Sequence, residues 1–396
     1  MTVAPRVQAL IAPPPRTDPI PAEIIEAARA AATAVDAEGR FPAEALAALK
    51  AHGMLGALIP TALGGQGASL HRVAADVQAL GTACSNAAMV LAMHHIQVAC
   101  IVRHATGQPW QAAFLRRVAD EQLLLASATS EAEIGGAMRT SRCAIMPDEG
   151  GGFGVVKQAS AISYGMEADA ILVTARAHEE AAAGDQVLAV VDRAGLTLER
   201  KSEWDAMGMR GTRSEAFVLT GRGLAEQIIA TPFAEIAAAT MVPVSHILWG
   251  GVWTGIATDA VTRARAFLRA KRKPGDPDPS SGAIRLAEAI ELLQMAEARV
   301  RLSLSRLDWD NPKPPGFADA AADNGLKTSV SDACLKVVQE VMAVAGFAGY
   351  ARSGPFSVTR HLRDLNSAPL MIGNSRMRES AARLLLAQKP RLGLEP

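Results

Sequence analysis

The stretch Trp204-Asp-Ala-Met-Gly-Met-Arg-Gly-Thr-Arg-Ser214 sits inside a β-type zone with helical sequence on both sides. Its paired glycines predict a tight turn packed against strands. Around it, from about Leu123 to Ile229, runs are short, β-branched and alternating: Gly154–Val156, Ala170–Ala175, Gln186–Val191 and Ala216–Leu219. Such runs predict short strands. Asp148-Glu-Gly-Gly-Gly, between Ile145 and Phe153, predicts a hairpin turn. Strands at this spacing point to a compact barrel or sandwich.

Upstream the pattern is helical. Glu23–Val35, Pro42–His52, Leu70–Cys84, Asn86–Arg103 and Trp110–Asp120 carry apolar residues at helical spacing. Gly53 and the segment Pro60-Thr-Ala-Leu-Gly-Gly-Gln-Gly interrupt them. Downstream, Ser245–Lys271, Ala283–Trp309, Ala318–Ala345 and Asn374–Ala387 predict four long helices, and the proline-broken Lys273–Gly282 cannot join them. The expected fold class is α+β. It comprises an extended arm (1–21), an N-terminal α-helical domain (22–123), a central β-barrel domain (124–238), a C-terminal four-helix bundle (239–390) and a tail (391–396). This order excludes a Rossmann fold, which alternates strand and helix, and Gly64–Gly67 follows a helix rather than a first strand.

Lys plus Arg and Asp plus Glu both number 40, so no basic excess marks a nucleic-acid binder. The one basic cluster, Arg269–Lys273, reads as a solvated helix end or as a phosphate contact. Cys84, Cys100, Cys143 and Cys334 lie far apart without a CxxC pair, which predicts neither disulfides nor a metal site. The apolar stretch Met89–Val102 contains histidines and falls short of a membrane span, and the N-terminus shows no signal-peptide pattern. The expected location is cytoplasmic.

Taken in order, several segments resemble the acyl-CoA dehydrogenase family. Phe41-Pro-Ala-Glu-Ala-Leu, His52-Gly-Met-Leu-Gly-Ala-Leu-Ile-Pro and Leu63-Gly-Gly-Gln-Gly are similar to the family's N-terminal run. Trp204–Ser214 is similar to its W-x-x-MG-x-RGT-x-S segment. Ala345-Gly-Phe-Ala-Gly-Tyr followed by Arg360-His-Leu-Arg-Asp resembles its GG-x-G-Y … R-x-x-RD stretch. The likeness spans about residues 22 to 390. It implies FAD, a dry slot for a small-molecule substrate such as an acyl-CoA, a homodimer or homotetramer, and an electron-transfer partner.

The resemblance also assigns residues. Thr129 and Ser130 correspond to flavin contacts in the family's TEP-x-x-GSD loop, with Gly135 and Gly136 allowing close backbone approach. Ser163 stands where a hydroxyl meets flavin N5, and Ala161 replaces the usual tryptophan. Gly346 and Asn374 fall at further cofactor positions. Lys271, with Arg272 beside it, stands where the family has a pyrophosphate arginine, so the bidentate fork is lost. Arg210 is a phosphate contact or a surface arginine. The family's YEGT glutamate is replaced by Ile372, which has no titratable group. Three readings follow, the first of them preferred. In the first, an acyl thioester is dehydrogenated with a relocated base, the candidates being Glu131, Glu133 and His246. In the second, a flavin-dependent monooxygenase uses a histidine of Met93-His94-His95-Ile96, with His95 structural and His94 open. In the third, the chain is a catalytically silent FAD or ligand binder.

Overall fold

A computed structural model describes residues 14–132, 138–275 and 279–386. Five helices come first: α1 (Ala22–Glu38), α2 (Ala43–Ala51), α3 (Leu70–Gly81), α4 (Ser85–His104) and α5 (Pro109–Glu121). Local chemistry sets their ends. Gly39 closes α1 in the left-handed region, Ser69 Oγ accepts the Arg72 N–H at the start of α3 (3.2 Å), and Pro109 opens α5. Ile24, Ala28, Ala31 and Val35 are the buried stripe of α1, at the spacing the sequence predicts.

The β region follows: β1 (Leu125–Ala128), β2 (Met146–Pro147), β3 (Gly152–Ile162), β4 (Ala170–Arg176), β5 (Gln186–Asp192), β6 (Leu196–Arg200) and β7 (Glu215–Leu224). The expected hairpin lies between β2 and β3, where Asp148 Oδ1 accepts the N–H groups of Gly150 (2.9 Å) and Gly152 (2.7 Å). The expected closed barrel is corrected. Among the described residues the strands form two separate sheets, β1-β4-β5 and β2-β3-β7-β6, with no ladder joining their edges. The first mixes a parallel β1–β4 pair with an antiparallel β4–β5 pair, and the second is antiparallel throughout.

The chain then returns to helix: α6 (Phe233–Ile236), α7 (Val242–Lys271), α8 (Ser281–Arg306), α9 (Phe317–Ala345), α10 (Phe347–Tyr350), α11 (Thr359–Leu365) and α12 (Asn374–Leu386). A π-helical turn, Ala237–Met241, joins α6 to α7. The four long helices of the expected bundle are α7, α8, α9 and α12. α7 is the central member and packs on α3, α4, α8 and α9. By length and hydropathy α4 and the Phe233–Lys271 run pass the test for a membrane span, contrary to expectation. In each, 89% of the apolar window is buried inside the fold, so both serve as core helices.

The α3–α7 crossing depends on missing side chains. A Cβ on Gly255 would lie 2.3 Å from the Gln78 carbonyl oxygen, and one on Gly81 would lie 3.0 Å from the Val252 oxygen. Both obstacles are backbone and cannot rotate away. Gly255→Ala should therefore lower unfolding free energy by about 2 kcal/mol, the overpacking cost exceeding alanine's gain in helix propensity. Urea denaturation checks this, and a stabilised variant would refute the close-crossing argument.

Candidate functional site

Strand β3 delivers the first wall. Its register against β7 shifts between Ala159 and Ile162, and the strand ends with Ala161 and Ser163 turned to a common cavity. Ser130 braces that end from the loop after β1, donating to the Ala161 carbonyl (2.8 Å) and accepting its N–H (3.2 Å). Ser163 Oγ lies 2.8 Å from Ser214 Oγ, and Ser214 Oγ lies 2.9 Å from Thr212 Oγ1. Three hydroxyls thus form a continuous row along one side.

The turn at 204–214 supplies the second wall. Trp204 Nε1 (2.9 Å) and Thr212 Oγ1 (2.8 Å) both donate to the Met209 carbonyl. Asp364 fixes the turn from the far side of the chain, its carboxylate accepting the Met209 N–H (2.6 Å) and the Ser85 hydroxyl. Burial pushes the Asp364 carboxyl above its ordinary value, against the opposing pull of those two donors. A Cβ on Gly208 would lie 2.2 Å from the Arg363 carbonyl oxygen, so only glycine lets the two segments meet.

The cavity so enclosed measures about 380 Å³. Met89 and Met93, four residues apart on α4, face it together with Met207, Met209, Leu370 and Met371. Its lining is strongly apolar, and its one charged residue among the described residues is Arg363, whose guanidinium pairs with Asp36. Among the described residues, five non-glycine positions have positive φ: Gln122, Tyr164, Met209, Arg213 and Ile372. All but Gln122 belong to, or directly adjoin, segments that wall this cavity. Left-handed backbone at such residues costs about 1 kcal/mol or more each, and strain of this kind gathers at functional sites. A second cleft of about 480 Å³, where α7, α8 and α9 meet, lacks the hydroxyl row.

Of the expected bases, the three that fall among the described residues, His94, His246 and Glu131, lie elsewhere. His94 is fully buried, with Nε2 donating to the Leu55 carbonyl (2.8 Å) and Nδ1 accepting the Leu125 N–H (3.1 Å). Burial holds its pKa down to about 4, so it is a neutral brace with no nitrogen left for proton transfer. His95 donates to the Met54 carbonyl (3.1 Å), and it is Met93 that faces the cavity. His246 is buried against the Asp323 carbonyl (2.9 Å), also at about 4 through burial, and lines no part of the cavity.

Glu131 is 5% exposed and satisfied by protein donors: Ser141 Oγ (2.8 Å), the Arg142 and Cys143 N–H groups, and Lys157 Nζ (3.4 Å). Burial raises its carboxyl, but Ser141, Lys157 and the two N–H groups outweigh that and hold it below its ordinary value. It is a structural anion. Glu133, Gly135 and Gly136 lie outside the described residues.

The remaining assignments divide. Ser163 lines the cavity and Ser130 braces it, whereas Thr129 is half-buried and not part of the lining. Ile372 is 41% exposed beside the wall residue Met371. Asn374 faces inward, accepting from Lys327 Nζ (2.7 Å) and donating to Ser331 Oγ (2.9 Å) and Asp332 Oδ1 (2.8 Å). Gly346 ends α9 at φ 55°. Lys271 and Arg272 are exposed at the end of α7, away from the cavity lining. The sequence reading did not single out Met89, Met93 or Asp364. The four-residue spacing of the methionines on a helix and the Arg363–Asp364 pair were the available signals.

Residues 22–122 match the family model "Acyl-CoA dehydrogenase, N-terminal domain". The chain is 24% identical over 351 residues to cyclohex-1-ene-1-carbonyl-CoA dehydrogenase of Syntrophus aciditrophicus (strain SB), covering 87% of this chain and 82% of that one. It is 28% identical over 366 residues to the amino sugar nitrososynthase RubN8 of Streptomyces rubradiris, covering 87% and 82%. Among solved structures, FMN-bound TdsC from Paenibacillus sp. A11-2 superposes with a TM-score of 0.79 at 21% identity, covering 93% of this chain and 96% of that one. At that identity the likeness is one of fold.

Proposed function

Because this chain belongs to the acyl-CoA dehydrogenase family, we propose that it is a flavin-dependent oxidoreductase whose cavity oxygenates a small apolar substrate. The observation that carries this reading is the chemistry of the lining. Among the described residues the cavity presents hydroxyls, methionine sulfurs, apolar carbon, the Asn366 amide and the Arg363 guanidinium, and neither a carboxylate nor an imidazole. Abstraction of a proton α to a thioester needs a base at the reacting carbon. Flavin-mediated oxygenation does not. The nitrososynthase RubN8 and the FMN-bound TdsC fit this reading.

The residues present suit a flavin. The hydroxyl row Ser163–Ser214–Thr212 offers donors to a heteroaromatic edge, and Ala161 leaves room where a large side chain would fill the cavity. Bound there, a flavin supplies two-electron transfer and, when reduced, reactivity toward oxygen. Ser163 contributes a hydrogen bond whose direction Ser214 sets. Met89, Met93, Leu370 and Met371 exclude water and grip a flat apolar molecule, methionine being adaptable and polarisable.

Dehydrogenation of an acyl thioester is the second reading, favoured by the match to the cyclohex-1-ene-1-carbonyl-CoA dehydrogenase. One experiment separates the two. The flavin-loaded protein is mixed anaerobically with a panel of acyl-CoAs. We expect no bleaching until an external reductant is added and, once air and an apolar substrate are admitted, oxygen-dependent modification of that substrate. Bleaching by an acyl-CoA alone would sink the oxygenase reading. Chromatography of the released cofactor distinguishes FAD from FMN, and light scattering tests the expected homodimer or homotetramer.

A further inference from the structure

Arg363 borders two cavities. One is the apolar cavity already described; the other is an open groove of about 780 Å³, also bounded by Asp36, Arg210, Tyr350, Arg352 and Ser353. Three guanidiniums therefore line one groove, against a single carboxylate among its described lining residues. That carboxylate, Asp36, is already paired with Arg363. Arg210 is held by carbonyl oxygens, Nη1 donating to Asp36 O (2.8 Å) and Ala37 O (3.1 Å) at the end of α1. Among the described residues no carboxylate neutralises it. Arg352 is exposed, and among the described residues its guanidinium makes neither a hydrogen bond nor an ion pair.

An apolar slot that shares a lining arginine with a cationic groove fits a ligand with a flat ring and an anionic arm. Guanidinium forks match phosphate oxygens bidentately, and neighbouring cations raise the local concentration of anions. Tyr350, 68% exposed, adds an aromatic ring to the same groove. Lys271 and Arg272, which stand where the resemblance implies a pyrophosphate contact, line neither this groove nor the cavity, whereas Arg210 lines the groove.

We propose that the Arg210–Arg352–Arg363 groove binds the phosphate arm of a ligand whose ring occupies the adjoining cavity. The proposal rests on the flavin reading only for the identity of that ring. The arm belongs either to the cofactor or to a phosphorylated substrate.

The test uses the full chain stripped of flavin, with binding of riboflavin, FMN, FAD and ADP measured by fluorescence or calorimetry at low and high salt. Arg352→Glu is the variant, since this exposed side chain supports no other contact. We expect the variant to bind FMN or FAD at least about tenfold more weakly, with riboflavin unchanged, because a hydrogen bond to a charged group is lost and a repulsion gained. Added salt should weaken the wild-type interaction and spare riboflavin. If FMN and FAD are indifferent to the variant but ADP binds and loses affinity, the groove serves a substrate phosphate and the proposal stands. If no flavin binds but ADP shows that dependence, the flavin reading falls and the groove survives. If no phosphate-bearing probe responds to Arg352→Glu or to salt, the groove proposal is overturned, whatever the fate of the flavin reading.

Discussion

Replacing Asp364 with alanine should lower unfolding free energy by about 3–5 kcal/mol and abolish tight flavin binding together. The carboxylate is 1% exposed and joins three parts of the chain: α11, which carries it, Ser85 at the start of α4, and the Met209 N–H in the strained turn. Alanine strands a buried hydroxyl and a buried N–H, and each unmet group costs about 1–3 kcal/mol. A void is left as well, and Met209 loses the bond that helps hold its left-handed backbone, φ 51°. Relaxation of that turn moves Trp204, Thr212 and the hydroxyl row with it. Asp364→Asn should recover part of the stability, because its amide oxygen accepts one of the two donors. Denaturant titration and flavin affinity measure the two effects. A stable Asp364→Ala protein that still binds flavin normally would show that the turn holds its shape unaided.

The helices were legible because a 3.6-residue period depends on local sequence, and α1, α4, α7, α8 and α9 all repeat it over several turns. β1 was not legible. It is four residues long, Leu-Ala-Ser-Ala, without alternation, and its parallel partner β4 lies some 45 residues downstream. β6, Leu-Thr-Leu-Glu-Arg, is a polar edge strand that reads as loop. Barrel closure was overestimated for a related reason. Strand count and spacing say nothing about which edges pair, and β1 joins β4 and β5 in a sheet of their own.

The candidate site was legible where backbone placement decides it and illegible where long-range partners do. Ser163 and Ser130 reach or brace the cavity because strand ends and adjacent loops follow from order along the chain. His94, Glu131 and Asn374 were each plausible from residue type. What occupies them comes from distant sequence: Leu55 and Leu125 for the histidine, Lys157 for the glutamate, Lys327 for the asparagine. Lys157 offered the one local clue, as a lysine on an inward-facing position of an alternating strand. An internal lysine in such a place demands an anion, and Glu131 is that anion.

That pair carries the other large expected effect. Lys157 is fully buried, donating to the Thr174 carbonyl (2.7 Å) and hydroxyl (3.2 Å) as well as to Glu131. Glu131→Leu removes the only carboxylate among the described residues bonded to this ammonium and takes the carboxylate acceptor from the Ser141 hydroxyl and the Arg142 and Cys143 N–H groups. Breaking one side of a buried ion pair costs about 3–5 kcal/mol. Combining Glu131→Leu with Lys157→Met should cost less than either single change, since the uncompensated charge disappears with its partner. The pH dependence has a definite sign. The Glu131 carboxyl is held below its ordinary value of 4.5 in the folded chain. The stability it contributes is therefore fully present above about pH 4.5 and is lost as pH falls through the lower folded value. Wild type should lose stability on acidification through that window, and the double variant should lose less of it. Equal acid sensitivity in the two proteins would mean that other carboxylates control acid unfolding. A double variant as unstable as the sum of the singles would show that Glu131 and Lys157 do not act as a pair.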